Sequence, residues 1–415
     1  MDAGFTGGIG RRRLLGWGGL AAAGLGVVAG AGRGNAEPAP ADRDRVPPDA
    51  RPGGSFDRYV AGLAAQDRFS GVVLIAHHGR IVLSRAHGLA DRERGIRNHE
   101  GTAVNLSSAI QPFLPVAVLQ LVQQGRLALS DRVGAHLTGF PADVAEQVTL
   151  HHLLTNSAGL DAPMPDWQRV FHSREEVHEH YERWTRQARL VVPPGSGDQG
   201  HTAGAGAGMA IAAQVVEAVT GLTYWDYVHE HVFKRAGMTG SGFFTRQQWL
   251  TDEHIAHSYM RQADGSRLDA VRNLDQGSPG PEIAGRNPAR AFIGHAAGDG
   301  FATAPDLVRF ARALRDGTVL SRPYAELLTG AKGPGPAPGS FRGYTGPLHL
   351  LNGRQWVFGR GGATAGSAAN WDVYPDTDWV GVVLSNYDDV PLLDILQRQM
   401  QAITGEPVDS PGGGG

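Results

Sequence analysis

Cysteine is absent from this 415-residue chain. That one absence removes disulfides, thiolate metal sites, a cysteine nucleophile and a lipid-anchoring cysteine, although it does not name the redox compartment. An excess of either charge is also lacking: 38 basic and 41 acidic residues leave a formal net charge of -3. Such a balance argues against a nucleic-acid surface. After residue 36 no apolar run is long enough to span a bilayer. Metal-ligand spacing is missing too. His178-Glu179-His180 and His229-Glu230-His231 set their histidines two apart, on different faces of a helix, and no His-Glu-x-x-His exists. The glycine-rich stretch 204–208 lacks the strand-and-helix setting of a phosphate loop. No metal and no cofactor is therefore expected.

What is present fits a soluble globular protein: 41% hydrophobic and 19% charged residues, in a chain long enough for two folded lobes with a sizeable core. The first 36 residues read as a twin-arginine (Tat) export signal. Arg11-Arg12-Arg13-Leu14-Leu15 precedes a weakly apolar, glycine- and alanine-rich stretch to Ala31, and Asn35-Ala36 offers a cleavage site. Export places the protein in the cell envelope or outside the cell, with no membrane attachment after cleavage. Residues 37–54 read as a flexible linker and 406–415 as a disordered tail.

Between them the pattern is α/β, in the α+β sense. Phe56 to Ala65 predicts a helix. Gly71–Ala76 and Arg80–Ser84 predict strands joined at His77-His78-Gly79. Ala109 to Gln124 is apolar around most of its circumference, as a buried helix is, with Pro112 and Pro115 distorting its first turn. Near the far end, 348–351 and 355–358 flank Asn352-Gly353, a hairpin turn signal. Segments 370–374 and 379–385 form a second strand pair, and a helix closes the chain from about Leu392 to Ala402. Strands at both ends with helical sequence between them predict one antiparallel sheet built from the two termini, flanked by helices. A mostly helical lobe is inserted at about 110–290.

The frame Asn105-Leu106-Ser107-Ser108, continuing through Pro112-Phe113 and Val118-Leu119-Gln120-Leu121-Val122-Gln123-Gln124-Gly125 to Ser130-Asp131, resembles the serine β-lactamase and penicillin-binding-protein-like family, in its class C and D-alanyl-D-alanine carboxypeptidase branch. The resemblance covers about residues 55–403 and implies that family's sheet, helical lobe and inter-lobe pocket. It places Ser108 at the nucleophile's position. Three residues on, where the family has lysine, stands Gln111. A lysine there can shed its proton and activate the hydroxyl; a glutamine amide does not titrate.

The family's other boxes have changed as well. The Tyr-x-Asn position falls on Gly204-Ala205-Gly206 counted from Glu217, or on Gly200-His201-Thr202 counted from Pro194-Gly195. Neither register holds a tyrosine or an asparagine. The His-x-Gly box reads Arg360-Gly361-Gly362. The Leu-Leu-Thr-His-Thr-Ser-Gly-Leu signature reads Leu153-Leu154-Thr155-Asn156-Ser157-Ala158-Gly159-Leu160.

The candidate catalytic residues are thus Ser108, Gln111 as its orienting group, and His201 as a replacement base steered by Asp198. The candidate binding residues are Asn156, Asp198, Asp299, Arg360 and Thr364. Arg360 is the anion-binding group, and Asp299 the acid that would pair with it and silence it. Each has a plainer role: a helix cap for Ser108, a solvated loop for His201, an ion pair for Arg360. Trp167, Tyr181 and Trp184 are placed either in the core or along a ligand cleft. The expected ligand is a small molecule or a peptide-like compound in the inter-lobe pocket. Three functions stay open: a pocket turned to non-hydrolytic catalysis (a cyclase or isomerase of specialised metabolism) or to ligand binding, a pseudo-hydrolase that binds cell-wall peptide or a protein, and a residual serine hydrolase using Ser108 with His201.

Overall fold

A computed structural model describes residues 45–196, 202–281, 283–335, 339–344, 346–351 and 355–406. Its centre is an eight-stranded, wholly antiparallel sheet. In chain order the strands are β1 (Gly71–His77), β2 (Arg80–His87), β3 (Gly333–Pro334), β4 (Ser340–Arg342), β5 (Pro347–Leu351), β6 (Gln355–Thr364), β7 (Ser367–Tyr374) and β8 (Trp379–Ser385). Their spatial order is β3-β4-β5-β6-β7-β8-β1-β2. The first strand of the chain thus pairs with the last, Gly71 opposite Ser385, as expected of a sheet assembled from both termini.

The alternation of side chains across β1 shows why the sheet is a middle layer. Val73 and Ile75 join one apolar cluster with Phe56, Val60 and Leu63 of α1 (Ser55–Ala65) and with Ile395 and Ile403 of the closing helix Leu392–Thr404. Val72, Leu74 and Ala76 join the larger cluster on the opposite face, shared with the inserted lobe. A strand buried on both faces reads as an unbroken apolar run, which is what Gly71–Ala76 is. The lobe's principal helices are α2 (Phe113–Gln123), α3 (Leu150–Leu154), α4 (Arg174–Thr185), α5 (Thr202–Thr220) and α6 (Tyr224–Val228).

Two local expectations change. The segment 37–54 is not linker throughout: Pro48–Ala50 forms a 3-10 turn and Ala50 is fully buried, packed with α1 and the closing helix. And the helix expected from Ala109 is divided. A 3-10 turn spans Ser107–Ile110, and the α-helix starts only at Phe113. Pro112 and Pro115 cannot donate the amide hydrogens that a continuous α-helical ladder needs there, so the chain tightens first and relaxes into α-geometry afterwards.

One buried acid makes the sheet pH-sensitive. Asp372 of β7 is 8% exposed and accepts from Asn370 Nδ2 at 2.8 Å. Burial pushes its carboxyl up to about 7 despite that bond. The folded state therefore keeps a proton that the unfolded chain releases near pH 4. This contribution is fully present below pH 4 and is lost as pH rises toward 7. Asp372→Asn should remove the slope and stabilise the protein at pH 8 by roughly 1–3 kcal/mol, read from urea midpoints at pH 5 and pH 8. Equal slopes in the two proteins would contradict this.

Candidate functional site

Ser108 lies on the 3-10 turn that enters the lobe and is partly exposed, whereas Ser107, Ala109 and Ile110 around it are buried. The turn is bound on every side. Ser107 holds a left-handed φ of 47°, uncommon for a residue with a β-carbon. Its amide donates to Asn105 Oδ1 at 2.7 Å and its hydroxyl to the Ala363 carbonyl at 2.9 Å. Its own carbonyl accepts from the Asp299 amide at 3.3 Å. Trp371 Nε1 donates to the Ala109 carbonyl at 2.9 Å, and its fully buried ring lies within 6.1 Å of the rings of Phe113, Phe310 and Phe358. Strand β6 passes so close that a β-carbon on Gly362 would sit 2.6 Å from the Ser108 amide nitrogen. Only glycine allows that approach. These contacts hold the Ser108 backbone at a defined place and leave the residue partly exposed. Among the described residues no hydrogen bond reaches its hydroxyl.

Gln111 does not orient the serine. It is 5% exposed, and its Nε2 donates to the Ala297 carbonyl at 2.8 Å, while its Oε1 is buried with no partner. The amide ties the turn to loop 294–299, and that is a structural bond. Nor is there a lysine to take over. The chain has two, Lys234 and Lys332. Lys234 pairs with Glu230 at 2.9 Å on the surface. Burial brings Lys332 down to about 8, but its ammonium donates to the Leu327 and Gly330 carbonyls. It precedes β3, three strands from β6, a separation of about 14 Å at ordinary strand spacing.

Asp299 is another correction. It does not pair with Arg360. Its carboxylate meets Arg286 at 3.4 Å and Asn105 Nδ2 at 3.4 Å, and its φ is 63°. Arg360 forms no ion pair among the described residues, and its Nε is buried without a partner. Burial draws its guanidinium down to about 10, which still leaves it charged at neutral pH. The residue is half-buried, and a guanidinium with no ion-pair partner among the described residues is a candidate for binding an anion. Arg360 and Gly362 are two apart on β6, hence on one face and about 7 Å apart, and Gly362 touches the Ser108 turn.

Thr364 continues that face but is 0% exposed, so no ligand reaches it; its hydroxyl has no partner. Asn156 stands apart from the Ser108 group. With a φ of 52° and an unpartnered Oδ1, it lines a cavity of about 10 Å³ with Leu153, Gly159 and Gly204, room for about one water. His201 and Asp198 lie outside the described residues.

Sequence reasoning missed Arg286, which holds Asp299 and lies over the Trp167 ring at 4.7 Å. It also missed His295. Burial depresses that imidazole to about 3, so it is neutral. Its Nδ1 accepts from the Ala297 amide at 3.2 Å, which leaves the proton on Nε2. Neither residue stands in a local motif; a return loop nearly two hundred positions away brings them in. Of the three aromatic candidates, Trp184 is core, donating from Nε1 to the Pro163 carbonyl at 2.9 Å. Trp167 is the platform under Arg286, and the Tyr181 ring lies 4.1 Å from that of His295, tilted by 46°.

The Beta-lactamase family model matches residues 56–402. Over 262 residues the chain is 27% identical to a putative penicillin-binding protein, PbpX, of Bacillus subtilis (strain 168), covering 63% of this chain and 59% of that protein. Over 190 residues it is 33% identical to the esterase EstB of Burkholderia gladioli, covering 42% and 47%. The chain thus aligns with only about half the length of the curated relatives it matches. Among solved structures, a penicillin-binding protein from Bacillus halodurans is similar with a TM-score of 0.67 and 25% identity, covering 81% of this chain and 97% of that one. A family match that runs from the first core helix to the last, over the same sheet and inserted lobe, makes this chain a member of the beta-lactamase family of penicillin-binding-protein-like serine hydrolases.

Proposed function

We propose that the surface around Ser108 and Arg360 binds a small or peptide-like carboxylate and does not run the family's acyl-enzyme reaction. The reading rests on one observation: the side chain one turn beyond Ser108 is an amide already bonded to Ala297, and no described amine or imidazole is bonded to the hydroxyl. A serine without a base is a poor nucleophile. Half-buried and without an ion-pair partner among the described residues, Arg360 supplies the attraction for a carboxylate. Positioning by shape, hydrogen bonds and one cation suffices for binding, or for a cyclisation or isomerisation that passes through no covalent intermediate. Export through the Arg11-Arg12-Arg13 signal belongs to this proposal and puts the ligand in the envelope or the medium.

The competing reading is ordinary ester or amide hydrolysis, which the names of EstB and PbpX favour. Calorimetric titration with N-acetyl-D-alanine tests the proposal. Saturable binding is expected, weakened about 10- to 100-fold in Arg360→Gln, because a hydrogen bond to a charged group is worth about 1.5–3 kcal/mol. Affinity unchanged by the substitution, or no saturation at all, would remove the basis for this reading.

A further inference from the structure

A second cavity lies inside the helical lobe, behind loop 294–299, and shares no lining residue with the Ser108 group. Its volume is about 40 Å³, and α4, α5 and α6 wall it with Tyr181, Ala213, Tyr224 and Trp225. The loop supplies His295. Three features define its chemistry. First, the wall carries no uncompensated charge. Its carboxylate, Glu217, is consumed by His178 Nε2 at 3.0 Å and by the Tyr224 amide at 2.8 Å. His295 is neutral, as argued above. Second, Tyr224 is 3% exposed and its hydroxyl has no partner. A buried hydroxyl left unmatched is costly, so this one calls for an acceptor. Third, His295 also lines the cavity; with its Nδ1 accepting from Ala297, its remaining ring N–H is a second donor among the lining groups.

We infer that this cavity is a binding site for a small uncharged alcohol. Its apolar carbons would lie against the alanines and rings, and its oxygen would accept from Tyr224. The volume takes about three water-sized centres, which is room for roughly three or four non-hydrogen atoms. So few atoms give millimolar affinity at most typical efficiencies. The site is independent of the reading of Ser108, since a carboxylate would find no unpaired cation among its lining residues: His178 is already held by Glu217. It touches the same loop, however: Trp225 Nε1 donates to the Gly294 carbonyl at 2.6 Å, while Ala297 holds Gln111.

The test is a titration of the full chain with 2-propanol, followed by the Trp225 indole N–H in amide-type nitrogen–proton NMR spectra. A shift that saturates with a millimolar midpoint is expected. Tyr224→Phe should raise the midpoint about fivefold to tenfold, and Ala213→Leu, which fills the cavity, should abolish the response. An unmoved Trp371 indole resonance in each variant certifies the fold. A shift in the unaltered protein that grows linearly with alcohol shows solvent effect only and overturns the inference, as does an unchanged midpoint in Ala213→Leu. Neither result bears on whether N-acetyl-D-alanine binds at Arg360.

Discussion

Incubated with a fluorophosphonate or a penicillin and examined as an intact mass, the protein should carry no adduct on Ser108. Any acylation should be at least about 10⁴-fold slower than in a family member with its base in place, the scale of loss when a serine nucleophile's base is removed. The expectation follows from chemistry at one oxygen. The hydroxyl attacks only as its proton leaves, and the proton needs an acceptor within hydrogen-bond reach. Gln111 is spent on Ala297, Lys234 on Glu230, and Lys332 on two carbonyls of its own helix end. His295 keeps its Nδ1 for Ala297. Gln111→Lys is the complementary experiment. It returns an amine to a position that is 5% exposed and faces a carbonyl able to hold it. Labelling that appears in this variant alone would locate the missing function at residue 111. Rapid labelling of the unaltered protein would instead mean that a base outside these groups serves Ser108.

The second large effect concerns stability. Arg272→Met should cost about 3–5 kcal/mol, read from guanidinium unfolding, because it strips the shared cation from two buried acids. Arg272 meets Asp91 at 2.7 Å and Asp269 at 2.6 Å, and those carboxylates are 4% and 10% exposed. His257, 2% exposed, lies 2.7 Å from Asp269. The ligand atoms of Asp91, His257 and Asp269 are within 4.8 Å of one another, a spacing that would suit a metal ion, but the guanidinium already stands among them. Removing it leaves two carboxylates facing each other in a low-dielectric setting, which neither water nor a methionine relieves. Arg322 is the contrast. It pairs with Glu326 at 2.8 Å, yet the two are 87% and 66% exposed. Arg322→Ala should change stability by no more than about 0.5 kcal/mol. A loss of similar size in both variants would show that burial does not set the worth of these pairs.

The architecture was legible because periodicity reports burial. A short, β-branched apolar run such as Val72 to Ala76, bounded by glycines, reads as a strand covered on both faces, and the paired hairpins at the far end declare their own register. A distorted start to the helix was legible too, since two prolines in four residues remove donors whatever the context, but its division into a 3-10 turn and an α-helix was not. The site was harder. Ser108, Gln111 and Arg360 could be singled out by their place in the resemblance, but what each side chain does depended on residues far along the chain. Gln111 reads as an orienting amide until the loop at Ala297 takes its hydrogen. Asp299 reads as the partner of Arg360 until Arg286, thirteen positions before it, takes its carboxylate. Linker composition misled at Ala50, which packs against two helices and does not float.

Residue types alone therefore determined what chemistry is possible. With two lysines in the chain, few amines could activate a serine, and no folding changes that inventory. The tertiary structure decided which of the remaining polar groups are free. A hydrogen bond or an ion pair satisfies a group regardless of sequence distance, and burial sets the cost of leaving one unsatisfied. Only the packed chain could show that Gln111 is occupied, that Arg360 has no ion-pair partner among the described residues, and that the Tyr224 hydroxyl is buried without a partner.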